Sequence, residues 1–448
     1  MARRLLPLAL ALLLPLPLAA YAAPAIAAIS FVHYPVPTTT FAGETNIGVN
    51  PRTDNVFFQL TNLRTYRAHF DDGTAPATVT WRLLGGLAQP LTLDPILWTD
   101  RTSGRTFVVQ LAGAASYVWM TQDAPVLNDG EVWVPTDVPT SFPFFDHQSV
   151  GTGPHGTVPN PDTILNLPPP ATGALNAMYY CGQLGIEVCA RSDDDGLTWG
   201  PYVPINANNN CGGLSGQVRV DHIGTVYVPN KDCGTQQGAI ISRTNGLLWG
   251  AWPIEGTDDG LSDPTIAIGN DNRAWIGMTS AGKPLVSWTD NIGVDWAAPV
   301  DVSAPFTVCN TRMPMMVAGD AGRAALAFYG TPTCGDDQDD EFTGEWHLYV
   351  SITLDGGATW STVDTTPTDP VQRGCIWMNG GNNPCRNLLD FQGASLDSHG
   401  RILVGWADGC TSAACVAPTG QPGDSRASLG TVTRLQHGPS LYADEGEL

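Results

Sequence analysis

Short apolar runs, each introduced by a turn, recur along the chain after the first 30 residues, and no long helical pattern interrupts them. Seven runs share a similar start and length: Asn46–Val49, Asp94–Leu97, Asp146–Ser149, Gly216–Arg219, Asp263–Ile266, Met313–Met316 and Phe391–Ala394. Several are followed by a Gly-Arg or Asn-Arg turn, at positions 104–105, 272–273, 322–323 and 400–401. Many short strands joined by tight turns are typical of an all-β protein.

A second pattern, S/T-x-D-x-G-x-T-W, lies in phase with these runs. It is clean at Ser192–Trp199 and Thr353–Trp360, has Asn for Asp at Thr289–Trp296, and is degenerate at Ser242–Trp249. The Asp carboxylate accepts hydrogen bonds from its own turn, the Gly supplies a positive φ, and the Trp covers the turn, so each copy predicts a hairpin. Copies about 50, 47 and 64 residues apart indicate a repeated blade.

Each repeat predicts an inner strand, a second strand, a third strand that ends at the Asp pattern, and an outer strand after the Trp. The fold prediction is therefore an all-β β-propeller of four-stranded antiparallel blades, with seven blades. Six blades is the alternative, because the first two units lack a clean Asp pattern. We expect Ile29–Tyr34 to close the ring by joining the last blade near Ala427–Thr433, and residues 28–448 to form one domain.

Residues 1–27 have the pattern of a secretory signal peptide. Arg3 and Arg4 precede the apolar stretch Leu5–Ala20, and small residues suited to cleavage follow at Ala20–Ala22 and Ala25–Ala27. The alternative is a membrane anchor, which a short apolar run interrupted by Pro disfavours. We expect a secreted protein, extracellular or periplasmic, that has no membrane association after signal cleavage.

Composition narrows the possible partners. With 43% hydrophobic and only 14% charged residues, the chain is not disordered, and its formal charge of −22 would repel nucleic acid and anionic membranes. The expected partner is an extracellular glycan or glycoprotein, bound by a monomer. We expect no required cofactor, although the acidic surface could bind a structural Ca²⁺.

The ten cysteines all follow the signal and fall in close pairs, which favours disulfides in an oxidising compartment over a metal site. The blade phase pairs neighbours in sequence: Cys181–Cys189, Cys211–Cys233, Cys309–Cys334, Cys375–Cys385 and Cys410–Cys415. All five predicted bridges belong to loops that lead into an inner strand or join the second and third strands. These loops share one face, so that face is predicted to carry fixed loops and the functional site.

The Asp patterns, blade spacing and signal resemble those of the sialidase (neuraminidase) superfamily, the Asp-box or BNR-repeat propellers. The runs Asp369–Trp377 and Asn383–Asp390 look like those of a bacterial secreted sialidase-like group. The resemblance implies an exo-sialidase-type glycoside hydrolase with three Arg that grip the substrate carboxylate, a Tyr activated by a Glu, and an Asp acid/base. The family's first Arg lies in an F/Y-R-I-P motif before the first box, whereas Thr311–Pro314 has the x-R-x-P form only after the third.

Candidate site residues follow from the predicted face. The carboxylates proposed for catalysis are Asp94, Asp146, Asp263 and Asp390, with Glu44 nearby, since paired carboxylates serve as acid and base in glycoside cleavage. The side chains proposed for substrate binding are Arg312, Arg373, Arg386, His147 and Trp377. Each of these residues has a structural alternative: an Asp that caps a turn, an Arg that binds loop carbonyls, or a Trp that fills its own loop.

Two further hypotheses follow from these residues. Asp336, Asp337 and Asp339 form a dense acidic loop that could hold Ca²⁺ or simply be solvated. The rival to the hydrolase is a non-catalytic propeller that binds glycans or proteins at the cell surface, and a lyase on the same scaffold is a third hypothesis. The sialidase hypothesis requires Arg312, Arg373 and Arg386 to converge on one point.

Overall fold

The structure, a computed structural model, describes residues 28–37, 41–61, 64–84, 93–112, 115–122, 133–136, 146–155, 174–206, 210–421 and 427–446. The predicted signal peptide lies outside these residues. Two short helices are present in the described part, α1 at Ala413–Val416 and a 3₁₀ turn at Ala443–Glu445. Within the described residues, no helix has both the length and the apolar character needed to cross a membrane.

The strands form seven separate antiparallel sheets arranged as the blades of a propeller. Blade 1 consists of β2 (Asn46–Val49), β3 (Val56–Leu60), β4 (Arg64–Asp71) and β5 (Thr78–Leu83). Blade 2 consists of β6 (Leu93–Thr99), β7 (Arg105–Ala112), β8 (Ala115–Gln122) and β9 (Val134–Thr136). Blade 3 consists of β10 (Asp146–Gly153), β11 (Ala177–Leu184), β12 (Ile186–Ser192) and β13 (Val203–Pro204). The seven-bladed prediction is confirmed, and the six-bladed alternative is excluded.

The remaining blades repeat the same order from the axis outward. Blade 4 consists of β14 (Arg219–Val220), β15 (Val226–Asn230), β16 (Gly238–Ser242) and β17 (Gly250–Pro253). Blade 5 consists of β18 (Thr265–Ile268), β19 (Ala274–Ser280), β20 (Lys283–Thr289) and β21 (Val300–Asp301). Blade 6 consists of β22 (Asn310–Ala318), β23 (Ala324–Thr331), β24 (Glu345–Thr353) and β25 (Ser361–Asp364). A short extra strand, β26 (Gln372–Arg373), pairs with the start of β24.

The seventh blade joins the two ends of the described chain. Its strands are β27 (Gly393–Leu396), β28 (Ile402–Asp408), β29 (Leu429–His437) and, outermost, β1 (Ser30–Pro35). His33 of β1 lies opposite Thr433 of β29. The predicted ring closure is therefore confirmed, with β29 extending four residues beyond the expected segment.

The inner strands surround the axis so closely that glycine is needed at some contacts between blades. A Cβ on Gly151 of β10 would lie 2.6 Å from the Val218 carbonyl oxygen, and one on Gly393 of β27 would lie 2.8 Å from the Ile47 nitrogen. Apolar clusters fill the space between neighbouring blades, around large buried rings such as Trp275. The packed sheets hold the ends of the inner strands at fixed positions around the central channel.

The Asp pattern forms the same turn between the third and fourth strands of four blades. At Ser192–Trp199, Asp194 accepts hydrogen bonds from the Thr198 amide at 2.8 Å and the Thr198 hydroxyl at 2.6 Å, and Gly196 has φ of 83°. Asp355 accepts the equivalent bonds in blade 6. In the degenerate copy, the Thr244 hydroxyl replaces the carboxylate as acceptor for the Leu248 amide. These turns are structural, as their spacing predicted.

We call the end of the channel where the inner strands begin the upper face, and the end where they finish the lower face. The five disulfides pair the cysteines as predicted. Cys181–Cys189 joins β11 directly to β12 near the upper-face hairpin that connects them, and the other four lie in upper-face loops. The lower face instead carries the tight turns between the first and second strands, including the Gly-Arg and Asn-Arg turns. The two ends of the channel are therefore built from different kinds of loop.

Candidate functional site

A cavity of about 570 Å³ opens at the upper face, where the inner strands begin. Its lining comes from the loops that lead into the inner strands and from the Cys375–Cys385 loop: Glu44, Asp94, Asp146, His147, Leu214, Lys231, Leu261, Asp263, Met378, Asn379, Gly380, Gly381, Arg386, Leu389 and Asp390. All four carboxylates predicted as catalytic are present, together with two of the predicted binding residues, His147 and Arg386. We call this space the upper cavity.

Leu389, with φ of 60°, and three lining residues of blades 1 to 3 share a backbone feature. Glu44, Asp94 and His147 have φ of 52°, 46° and 49°, the left-handed region that residues other than glycine rarely adopt. They stand at equivalent places in blades 1 to 3, where the chain enters the inner strand. Two of their backbone amides donate to a side chain of the preceding blade. The Asp94 amide donates to Glu44 Oε2 and the His147 amide to Asp94 Oδ2, both at 3.1 Å. Strained residues of this kind concentrate at functional sites.

Asp94 is a buried carboxyl group that holds a proton near neutral pH. Burial, with the side-chain hydrogen bond and charge of Asp146, raises its pKa to about 7, although the positive charge of His147 opposes the shift. Asp146 is exposed at the mouth of the cavity. Two carboxyl groups that share a site cannot both ionise readily. Asp94 and Asp146 thus form an acidic pair with one buried and one accessible member.

His147 and Asp263 form a second pair, across blades 3 and 5. The His147 Nδ1 lies 2.8 Å from Asp263 Oδ2, and both side chains are largely buried. Burial alone would lower the pKa of His147, but the charge and hydrogen bond of Asp263, together with Asp94 and Asp146, raise it well above its usual value. The imidazole is therefore a cation that faces the carboxylates on either side.

Arg386 and Asp390 form a bidentate ion pair on the wall formed by the loop before β27. Beside them, burial and the charges of Asp94 and Asp390 raise the pKa of Glu44 well above its usual value, partly offset by Arg386. One carboxylate oxygen each from Glu44, Asp94 and Asp390 lie within 4.8 Å of one another. Such oxygen ligands suit a hard cation such as Ca²⁺, so these three residues could hold a metal.

Residues near the cavity that the sequence analysis did not select include Lys231 and Glu187. Lys231 lines the wall and donates to the Leu261 carbonyl oxygen at 3.3 Å. Glu187, in β12, accepts a hydrogen bond from Ser215, and burial raises its pKa to about 8 although that bond opposes the shift. Two features of the sequence could have pointed to them. Glu187 is a charged residue within a buried strand, and Lys231 is one of only two lysines in the chain.

The three arginines of the sialidase hypothesis do not converge. Arg312 is buried in an ion pair with Asp337, and Arg373 pairs with Glu345 and donates to the Cys415 carbonyl oxygen. Neither is among the described residues that line the upper cavity, and Arg386, which does line it, is already paired. No tyrosine belongs to the described lining either. The described residues therefore do not form the three-arginine site for a substrate carboxylate that the resemblance implies.

The two other predicted features lie beside the cavity rather than in its described lining. Trp377 packs against the core under the Cys375–Cys385 loop, and its Nε1 donates to the Gly380 carbonyl oxygen at 2.7 Å, so it fills its own loop. In the acidic loop, Asp337 faces Arg312, while Asp336 and Asp339 accept the amides of Gln338 and Glu341. Among the described residues, this loop does not gather its oxygens into a cation-ligand group.

Fold and site together define a seven-bladed β-propeller with an acidic cavity on its disulfide-bound face. No protein-family profile and no curated protein matches the sequence.

Among solved structures, a fungal alcohol oxidase in complex with copper is 11% identical over 91% of this chain and 76% of its own, with a TM-score of 0.51. The intramolecular trans-sialidase from Ruminococcus gnavus is 12% identical over 95% and 100%, with a TM-score of 0.42. A lectin from Burkholderia pseudomallei is 12% identical over 82% and 93%, with a TM-score of 0.48. At such identities, the similarity concerns the propeller fold alone.

Proposed function

We propose that the protein is a carbohydrate-active propeller that hydrolyses a glycosidic bond in the upper cavity. One observation carries the proposal: Asp94, a buried carboxyl group whose pKa is raised to about 7, has an oxygen within 4.8 Å of an oxygen of Asp390, a carboxylate paired with Arg386. A glycosidase needs these two protonation states side by side.

The roles follow from exposure and charge. Asp94 is the general acid, and Asp146, bonded to it at the cavity mouth, relays the proton to the leaving oxygen. Asp390, which Arg386 orients, is the nucleophile. A nucleophilic Asp390 implies a retaining mechanism, in which the acid pair, once it has given its proton to the leaving oxygen, activates the water that releases the covalent glycosyl intermediate. His147 and Asp263 hold the wall that orients Asp94.

The substrate class follows from the balance of charge. The described lining carries five acidic side chains, Glu44, Asp94, Asp146, Asp263 and Asp390, against the basic side chains of Lys231, His147 and Arg386. Because the pKa values of Glu44 and Asp94 are raised and His147 is a cation, the charged acids do not outnumber the basic side chains. The lining therefore offers a sugar carboxylate no net attraction, and no unpaired Arg among the described lining residues would receive it. We therefore favour a neutral or amino-sugar glycan over the sialic-acid glycan that the resemblance implies.

The test is a hydrolysis screen of the disulfide-bonded protein on neutral and N-acetylated aryl glycosides, a sialoside, and polysaccharides assayed by new reducing ends. Asp94→Asn should lower kcat about 10²- to 10⁴-fold by removing the acid. The matched control is Asp259→Asn, an exposed carboxylate of the upper face outside the described lining, which should retain wild-type activity.

A second arm tests the nucleophile. Asp390→Ala should be inactive, and azide should restore turnover and yield a glycosyl azide of inverted configuration, because the small anion replaces the missing carboxylate. Turnover restricted to the sialoside would contradict the charge argument. Glycan binding without turnover of any substrate would instead establish the non-catalytic propeller.

A further inference from the structure

A second cavity, of about 200 Å³, lies on the axis at the lower face. All seven inner strands contribute residues to it, together with turn residues such as Asp100 and His222, so the blades fix most of its walls. Apolar side chains such as Val49, Leu97 and Leu396 form much of the lining. At the volume that water occupies in the liquid, about 30 Å³ per molecule, the space equals roughly six or seven waters. We call it the lower cavity.

Arg219, at the start of β14, lines this cavity without an acidic partner among the described residues. Its guanidinium lies 4.5 Å from the centre of the Trp98 ring, and its nitrogens donate to the Val218 carbonyl oxygen at 2.8 Å and to Gln217 Oε1 at 2.7 Å. Burial lowers its pKa to about 10, and no carboxylate offsets the effect. A sheltered charge normally has a counter-ion, because desolvation is costly.

Gln217 provides an independent indication of a ligand. Its side chain is only 8% exposed and lines the same cavity, and its oxygen is occupied by Arg219. Its Nε2 is buried and has no acceptor among the described residues. A buried donor without an acceptor costs free energy, so native proteins rarely retain one without a reason. The Arg219 guanidinium therefore lines the cavity without an acidic partner, and the side chain of Gln217, which it bonds, has a donor without an acceptor.

We propose that the lower cavity binds a small organic acid, whose carboxylate is received by the Arg219 guanidinium. A planar guanidinium suits a carboxylate through two parallel hydrogen bonds, and its position against Trp98 fixes it in advance. The apolar ends of the inner strands suit the rest of the ligand. The one acid in the described lining, Asp100, is already satisfied by Asn176, Ser103 and the Thr102 amide. This site is separate from the proposed glycosidase and stands if no glycan is cleaved.

The experiment is isothermal titration calorimetry of the disulfide-bonded protein with benzoate, and with benzamide as its neutral isostere. Wild type should bind benzoate at least tenfold more tightly than benzamide, because only the carboxylate pairs with Arg219. Gln217→Glu should abolish this preference by placing an internal carboxylate beside Arg219. Arg219→Met should abolish it by removing the cation. The control is Arg101→Gln, which removes a rim cation that bonds Tyr442, and it should bind benzoate within about twofold of wild type.

Thermal unfolding separates lost binding from lost folding. Both Gln217→Glu and Arg219→Met should unfold without ligand at the wild-type temperature or above it, since each removes an uncompensated charge. Equal affinity of wild type for benzoate and benzamide would overturn the proposal. So would undetectable benzoate binding, or wild-type benzoate affinity in Arg219→Met.

Discussion

The two cavities lie at opposite ends of one channel and differ in both charge and construction. The upper cavity gathers five acidic side chains on long loops that disulfides hold, and three of its residues enter their strands in a left-handed conformation. The lower cavity consists of strand ends and carries an unpaired cation, Arg219. The same seven strands thus support two different electrostatic environments. In this propeller, the blade pattern fixes where a site lies, and the residues at the strand ends decide which ligand suits it.

The largest effect that separates the two ends should come from removing the Cys375–Cys385 bridge, which closes the loop that supplies Met378 to Gly381. Changing both cysteines to Ser should lower the free energy of unfolding by about 2–3 kcal/mol, through the entropy of the unfolded loop. Upper-cavity hydrolysis should be lost, while benzoate binding at the lower cavity should persist below the unfolding transition. Chemical denaturation and the two ligand assays provide the measurements.

The control for that change is the Cys181–Cys189 bridge, which closes a loop of similar length outside the described lining. Its removal should cost similar stability but leave hydrolysis intact. Equal loss of activity in both double variants would mean that the upper cavity depends on general rigidity rather than on the Cys375–Cys385 loop.

A smaller effect should appear in the pH dependence of stability. The pKa of Asp94 is raised from 3.8 to about 7, so its proton stabilises the folded state fully below pH 3.8, and that stability is lost as pH rises to about 7. Asp94→Asn should reduce the decline over this window by up to about 1.4 kcal/mol per pH unit, the value for one proton. Urea unfolding between pH 4 and pH 8 measures it.

Asp259→Asn provides the matched comparison and should keep the wild-type slope. An unchanged slope in Asp94→Asn would show that the buried proton resides on Glu44 or Glu187, whose pKa values are raised in the same direction. The lower cavity should not contribute over this window, because Arg219 remains charged throughout it.

The smallest effect should come from an Asp-box turn, which belongs to neither cavity. Asp194→Ala removes the acceptor of the Thr198 amide and hydroxyl and should cost about 1 kcal/mol in denaturation. Asp194→Asn should cost less, since Asn291 serves at the same place in blade 5 and accepts the Asp295 amide. A change in hydrolysis or benzoate binding in either variant would contradict the purely structural role of these turns.

The sequence was sufficient to predict the blades because their signals are local. A carboxylate, a glycine and a tryptophan within eight residues define one turn, and their recurrence gives the phase of the inner strands, the ring closure and the cysteine pairs. The predicted acids Asp94, Asp146, Asp263 and Asp390 lie together because each stands where an inner strand begins.

The partners of the arginines could not be predicted in the same way. Asp337, which binds Arg312, lies 25 residues further along the chain, and Glu345 lies 28 residues before its partner Arg373. Which acid reaches which guanidinium depends on the path of long loops, and no repeat specifies that path. The sequence places Arg219 only at the start of an apolar strand. Neither the cavity beside it nor the absence of an acidic partner could be predicted from the sequence. The left-handed backbone of His147 was equally hidden.

The outermost strand of blade 7 has a consequence for how the ring holds together. In every other blade the four main strands follow one another along the chain, whereas the contact between His33 and Thr433 spans 400 residues. Closing such a loop is slow, yet its entropic cost grows only by about 0.6 kcal/mol for each doubling of length. Blade 7 therefore closes the ring, and it is the one blade that contains strands from both ends of the described chain. Because those ends are neighbours in a single sheet, a short peptide could join them and new termini could be opened between any two blades.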